Sequence, residues 1–582
     1  MVKGDAEMKK FWVSLVPLLI LALVMGSIAC AGGTQPATLH TPSLWTGDAL
    51  VQTLYGPVKG YADTNDTWVW KAIPYARPPV GPLRWKAPQD PDSWNVTRAE
   101  TEFCSECTQY TVTSSVAGSE DCLYLNIWRP QSEQTNLPVY FWIHGGGNSM
   151  GTASYEGYDG ANIASKSDMV VVTVNYRLGP LGWFTYAALR SGEPGHELDD
   201  SGNYGTLDLI KALKWVQANI QAFGGNASNV TIAGESAGAI NVFSLLISPL
   251  AQNLFQKAIA QSGFPVARPM ADGEASAHDV ILKLLVNDGT AADADSAQNY
   301  LDTSSDAKIE AYLRSKSAAE LLKAYDTGYF GMLSFPYIFE DGTVIPKTGF
   351  DTFETGTYPN KVPLIIGTTK EETKLFLFLD PTFTGKDEFY QTVASYSSDL
   401  WKAVGADSVA RELSSHTDQP NVYVYQFLWG AGGDTGTSVI PAPWGFRLGA
   451  CHSLDIPLFF GNDIWNGPLG LLVFTKGNRP GREALSSAMM AYVAQFARTG
   501  NPSKPGTSLI EWSPWSNAVD GPKCILFNVQ GDMPYLAMSN VELTASGVKA
   551  KLASEVPEPL YSETLQFVSK MSTEFEVGLK LP

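Results

Sequence analysis

Basic residues are scarce in this 582-residue chain: Lys and Arg number 40 against 59 Asp and Glu, leaving a net charge of −19. An acidic surface gains nothing from a phosphate backbone or an anionic bilayer, so the charge disfavours nucleic acid and anionic membrane surfaces as partners and is read as solubility. There are only six histidines and six cysteines. No Cys/His cluster has metal-ligand spacing and no glycine-rich phosphate loop follows a strand, so neither a metal nor a cofactor is implied. Internal repeats and long low-complexity linkers are also missing. With charged residues at 17% and aromatics at 11%, the composition suits a chain with a large buried core.

Against these absences one pattern stands out. Gly234-Glu235-Ser236-Ala237-Gly238 follows the apolar run Asn229-Val230-Thr231-Ile232-Ala233 and precedes a helix-prone run, Ala239 to Ile247. Strand, tight turn and helix around G-x-S-x-G make a nucleophile elbow, with small residues where any larger side chain would collide with the turn. Ser236 is the candidate nucleophile. A serine hydroxyl needs a base, an orienting acid and donors for an oxyanion. Leu137 to Ile143 reads as a buried strand running into His144-Gly145-Gly146-Gly147, a turn whose backbone N–H groups are free of side-chain obstruction. The oxyanion donors are assigned to the amides of Gly146, Gly147 and Ala237.

In this class of site the acid and then the base follow the serine in the chain, which leaves His416 and His452. Catalytic groups of open α/β sheets gather outside the carboxyl ends of the strands. His416 precedes the strand-like run Val422 to Trp429 and so lies at the wrong edge; His452 follows it. The acid is expected after the strand Val362 to Gly367, in Thr368-Thr369-Lys370-Glu371-Glu372, where spacing leaves Glu371 and Glu372 as alternatives.

The residues from about Val51 to Trp515 resemble the type B carboxylesterase family, the cholinesterase-like branch of the α/β hydrolases. Besides the elbow and glycine turn, the resemblance rests on Ile73-Pro74-Tyr75-Ala76, Pro78-Pro79-Val80-Gly81 with Leu83-Arg84, Ser119 to Asn126 (SEDCLYLN), Asn175 to Gly179 (NYRLG), Ala212 to Val216 with Asn219-Ile220, Phe223-Gly224-Gly225, Gln261-Ser262-Gly263, and Gly500-Asn501-Pro502 before Trp512. It implies that Glu372 is the triad acid, which would leave Glu371→Gln a surface change, and it supports His452. It implies that Ser262 supports the acid and histidine from behind; Glu235, beside the nucleophile, is placed with it. Cys104 and Cys122 match the family's first disulfide, with Cys107 a competitor for the same partner. Asn148 stands where the animal enzymes often carry an aromatic residue, and Thr373 where a small residue commonly follows the acid. No tryptophan lies between Cys104 and Cys122, so choline-ester specificity is unsupported. Met332 and Leu333 fall near the bulky acyl-pocket residues of cholinesterases and hint at a roomier site.

The expected activity is hydrolysis of carboxylic esters through an acyl-enzyme, with a small-molecule ester as the partner. Lipase, thioesterase or amidase chemistry on the same triad is the alternative, and a catalytically silent surface-binding protein is the rival from another class. The expected fold is an α/β hydrolase with a mostly parallel sheet covered by helices on both faces. Strands are predicted at 137–143, 169–175, 229–233, 258–261, 362–367, 422–429 and 524–529, and helices at 208–223 and 482–498. A helical cap is expected at 285–325. Residues 32–582 are read as one catalytic domain, since the proposed site draws on residues from Gly146 to His452. Residues 1–31 have the layout of an export leader: Lys3, Lys9 and Lys10, an apolar run from Phe11 to Met25, then small residues. Cleavage before Cys30 would leave a lipidated, membrane-attached cysteine, cleavage after Ala31 a secreted enzyme, and no cleavage a signal anchor. All three place the protein outside the cytoplasm, where disulfides are permitted.

Overall fold

In the computed structural model, residues 39–574 are described except 100, 112, 114 and 433–437. The leader, its cleavage sites and Cys30 lie outside the described residues. Eleven strands form the main sheet: β1 (Tyr61–Asp63), β2 (Thr67–Pro74), β3 (Tyr124–Pro130), β4 (Leu137–Ile143), β5 (Val170–Val174), β6 (Gly225–Glu235), β7 (Lys257–Gln261), β8 (Leu364–Thr369), β9 (Val422–Phe427), β10 (Cys524–Gln530) and β11 (Met533–Ser539). Their order across the sheet is β11-β10-β9-β8-β7-β6-β4-β5-β3-β2-β1. From β10 to β5 every neighbouring pair is parallel, and antiparallel pairs lie only towards the two edges.

Parallel strands covered on both faces need continuous apolar sequence, and all residues of β4 and β5 are buried. Those runs are legible, and the seven predicted strands are the seven parallel ones. The four missed strands are the antiparallel ones, whose sequences break the apolar run. In β3, Asn126 and Arg129 are buried because the backbone needs them: Asn126 Oδ1 accepts from the Ala72 amide at a bulge, and Arg129 donates to the carbonyls of Phe223, Ser132 and Gln134. In β11 the run is interrupted by Pro534, and the strand is part-exposed.

The helices that matter for the site are α1 (Tyr204–Asn219), α2 (Ala237–Ile247), α3 (Met270–Asn287), α4 (Ala294–Thr303), α5 (Asp306–Ser315), α6 (Ala318–Lys323), α7 (Asp387–Lys402), α8 (Ile456–Phe460), α9 (Arg479–Thr499), α10 (Ala545–Glu555) and α11 (Leu560–Glu574). Helix α2 is mostly apolar and wholly buried, as expected of a helix locked between the sheet and its neighbours. The expected cap is α3 to α6. It begins earlier than predicted, at Met270, and Asp293 and Ser317 start α4 and α6 with capping boxes. The chain leaving it, Gly328 to Tyr337, lines the cavity described below. At the other end of the chain α10 and α11 pack on α7 through Val548, Leu552, Val568 and Met571.

The disulfide expectation is corrected. Cys107, not Cys104, is bonded to Cys122, with their Cα atoms 5.1 Å apart. The reason is local pairing: Cys107 bridges to Ser119, which carries it across the loop, whereas Cys104 lies before that pairing begins. Closing this loop stabilises the fold by about 3 kcal/mol on the chain-entropy model. The Cys104 thiol accepts from Asn175 Nδ2 at 3.4 Å and is pushed up to about 12 by burial. Cys451 and Cys524 are buried free thiols. Among the described residues no helix is long and apolar enough to cross a membrane.

Candidate active site

Five adjacent strands deliver the candidate residues to one edge. At their carboxyl ends β4 runs into the glycine turn, β6 into Ser236, β7 into Ser262 and β8 into Glu372, while the loop after β9 carries His452. His416, on the far side of β9, hydrogen-bonds through Nε2 to the Phe353 carbonyl at 2.7 Å, away from this edge.

Ser236 has φ 56° and ψ −122°, a region that a residue with a Cβ seldom enters. The elbow holds it there. The Ser236 amide donates to the Gln261 carbonyl at 2.8 Å, and Gly234 and Gly238 face each other across the turn. A Cβ on Gly234 would lie 2.5 Å from the Gly238 backbone, and one on Gly238 would collide with the Ile143 carbonyl. Gly146 and Gly147 both have positive φ, 106° and 60°. Their amides, and that of Ala237 at the first position of α2, have no acceptor among the described residues.

His452 is buried, and its Nδ1 lies 2.6 Å from Glu372 Oε2. The other oxygen of Glu372 accepts from Ser262 Oγ at 2.7 Å and from the Thr369 amide at 2.6 Å, so the carboxylate cannot turn away. On the opposite side of the ring, Nε2 is 3.0 Å from Glu235 Oε1. Burial pulls the imidazole down, but Glu235 and the bond from Glu372 outweigh it and hold His452 above its ordinary value. Glu235 is raised to about 8, chiefly by burial. His144 goes the other way: buried and stacked on Tyr176, it is lowered to about 4 and stays neutral.

The cleft has two chambers that share Ser236. One of about 540 Å³ is lined by Gly146, Glu235, His452, Tyr155 and Trp465 among others. The other, of about 80 Å³, is lined by Gly147, Ala237, Ser262 and a wall of Phe264, Phe335, Tyr337 and Trp401. Met332 and Phe376 belong to both and form the partition. Met332 and Leu333 both line the smaller chamber beside those four aromatic rings, and Met332 also faces the larger one.

A sequence profile described as the Carboxylesterase family matches residues 47–391 and 380–524. The chain is 33% identical over 488 residues to the para-nitrobenzyl esterase of Bacillus subtilis (strain 168), covering 80% of this chain and 92% of that one. To the human cocaine esterase it is 32% identical over 551 residues, covering 85% and 88%. Among solved structures, a PNB esterase superposes with a TM-score of 0.65 at 29% identity, covering 85% of this chain and 98% of that one.

The chain belongs to the carboxylesterase family. It is a carboxylic ester hydrolase with the α/β-hydrolase fold.

Sequence reasoning missed two acids that support this enzyme's site. Glu371, expected at the surface, is tucked against the base loop: its carboxylate accepts from the Ala450 amide at 2.9 Å and pairs with buried Lys374 at 2.7 Å. Asp455 lies three residues after His452 and receives the Tyr425 hydroxyl at 2.5 Å; burial raises it to about 6. Nothing in spacing separates such acids from solvated ones. The departures at Asn148 and Thr373 have structural reasons. Asn148, buried at φ 54°, accepts from Asn241 Nδ2 at 2.8 Å. Thr373 bonds Ser397 Oγ at 2.8 Å and ties the acid loop to α7.

Proposed function

We propose that Ser236, His452 and Glu372 are the catalytic triad of this ester hydrolase. The observation that carries the reading is the 2.6 Å contact of His452 Nδ1 with a fully buried Glu372 whose other oxygen is also bonded, in a histidine that lines the same chamber as Ser236. His452 takes the Ser236 proton as the oxygen attacks the ester carbonyl. Glu372 fixes the ring orientation and stabilises the imidazolium, and Glu235 adds a second carboxylate beside Nε2. The developing oxyanion is met by the amides of Gly146, Gly147 and Ala237. The protonated imidazole then gives its proton to the leaving alcohol, and water repeats the sequence on the acyl-enzyme.

The unequal chambers limit the substrate to a small-molecule ester with one short and one bulky, largely apolar side. Hydrolysis of an ester series lengthened on each side in turn tests this: a steep fall with length on one side only supports it, and equal tolerance on both sides refutes it. Labelling with a fluorophosphonate followed by peptide mass mapping tests the triad, the adduct falling on Ser236.

We further infer a single catalytic domain, residues 32–582, exported behind the leader 1–31. The Cys107–Cys122 disulfide supports an oxidising compartment. Attachment through a lipidated Cys30 is the favoured fate of the leader. Mass analysis of the mature amino terminus decides among diacylglyceryl-Cys30, a start at Gly32 and an intact leader.

A further inference from the structure

The acid loop and the base loop are zipped together. The Glu371 amide donates to the Ala450 carbonyl at 2.9 Å, and the His452 amide donates to the Glu372 carbonyl at 3.2 Å. Between these two backbone bonds the Glu371 side chain adds a third, accepting from the Ala450 amide through Oε2 at 2.9 Å. Its other oxygen is held by Lys374 Nζ at 2.7 Å, and the two side chains are only 12% and 3% exposed. With both oxygens engaged, the carboxylate has no alternative orientation. Gly449, at φ 52°, completes the fit, because a Cβ there would collide with Glu371 Oε2. Neither Glu371 nor Lys374 lines either chamber.

We propose that the Glu371–Lys374 pair is a positioning device for His452, setting the distance between the base loop and the acid loop. The proposal rests on the triad reading above. The ion pair fixes Ala450, two residues before the histidine, against the loop that carries Glu372. Displacing a catalytic group by about 1 Å costs on the order of a hundredfold in rate, so a tether of this kind acts on turnover and not on substrate binding.

The test uses Glu371→Gln, Lys374→Met and the double variant, with kcat, KM, pH profile and melting temperature measured on the full chain. In Glu371→Gln the amide cannot satisfy the Ala450 N–H and the Lys374 ammonium together. Its kcat is expected to fall about tenfold or more, with KM within about twofold, at a temperature well below its own melting. Its acid limb of kcat/KM is expected to move to lower pH as the His452–Glu372 contact loosens. The double variant removes the conflict, leaving a Gln carbonyl for Ala450, and is expected to return to within about threefold of wild-type kcat. Wild-type kcat and pH profile in Glu371→Gln, whatever its melting temperature, overturn the proposal; so does a double variant no better than the single. If Glu371→Gln does not fold, Gly449→Ala, which pushes on the same carboxylate from the other loop, is measured instead. Lowered kcat at unchanged KM supports the tether, and unchanged kcat refutes it. An active Ser236→Ala enzyme is a different failure, since it removes the triad reading itself.

Discussion

Ser236 is placed by its nearest neighbours in the chain, His452 by residues about eighty positions away. The serine sits in a turn whose steric requirements fall on Gly234 and Gly238, and its strained backbone is set chiefly by the five-residue elbow, with one amide bond to the neighbouring strand at Gln261. The histidine lies on a loop after β9 and is brought to its acid across a sequence separation of 80 residues. Local encoding makes a site legible and intolerant of small backbone changes. Long-range encoding hides it in the sequence and spreads its support over several side chains.

Chemistry on the serine side predicts the largest effect. Ser236→Ala removes the nucleophile without touching a hydrogen bond of the core. Turnover is expected to fall by about a million-fold, as when a triad serine is deleted, with the melting temperature unchanged. Steady-state kinetics on any accepted ester measure it; retention of a tenth of the activity would take Ser236 out of the mechanism.

On the histidine side, Glu372→Gln is expected to cost on the order of ten-thousandfold in kcat, since the amide offers the wrong partner to Nδ1 and no charge to the imidazolium. His452→Ala is expected to be nearly as damaging as the serine change. A loss of less than a hundredfold in Glu372→Gln would mean that Glu235, 3.0 Å from Nε2, has taken over the orienting role.

The comparison sharpens at Gly238, where local encoding is strictest. A methyl group there drives into the Ile143 carbonyl at the end of β4, so Gly238→Ala shifts either the elbow or the strand. About 2 kcal/mol of stability and about a hundredfold in kcat are expected to go together, read by denaturant melts and kinetics on the same preparation. Loss of stability alone would show that the elbow does not need its strain.

What the sequence made legible follows the same division. The parallel strands, the elbow and the glycine turn are written in contiguous residues, and even His452 could be separated from His416 by the side of one strand on which each falls. The resemblance implies Cys104–Cys122 with Cys107 as a competitor, and what decides for Cys107 is its bridge to Ser119, a pairing between loop residues that the sequence does not announce. Glu371 was misread because a pair of acids in a polar turn has the composition of solvent-facing sequence. Its burial depends on Lys374 and on Ala450, a residue far along the chain. Strand β3 escaped for the same kind of reason: its buried Asn126 and Arg129 are satisfied by backbone groups outside the strand.

Glu235 offers a smaller and directional effect. Its carboxylate raises the His452 imidazole, and the acid limb of kcat/KM reports the loss of the neutral base as pH falls. Removing the charge in Glu235→Gln lowers the imidazole value, so the acid limb is expected to slide to lower pH, with activity retained where the wild type has lost it. A limb that moves to higher pH, or stays in place, would mean that Glu235 does not act on His452 electrostatically.

The smallest effect is expected at His416, the histidine that shares β9 with the base but lies at its other end. Its Nε2 meets the Phe353 carbonyl at 2.7 Å, and its ring covers Gly356, the left-handed residue that closes the short helix Asp351–Thr355. These are the contacts of a half-buried structural residue. His416→Ala gives up one hydrogen bond and some ring packing, worth about 1 kcal/mol, and leaves the carboxyl edge of the sheet untouched. Its kcat is expected to stay within about threefold of wild type, while the melting temperature drops by about 2 °C. A hundredfold loss of turnover in a normally melting His416→Ala enzyme would reverse the comparison: the chemistry would then depend on the amino-terminal end of β9, and the assignment of His452 from strand polarity would fall with it.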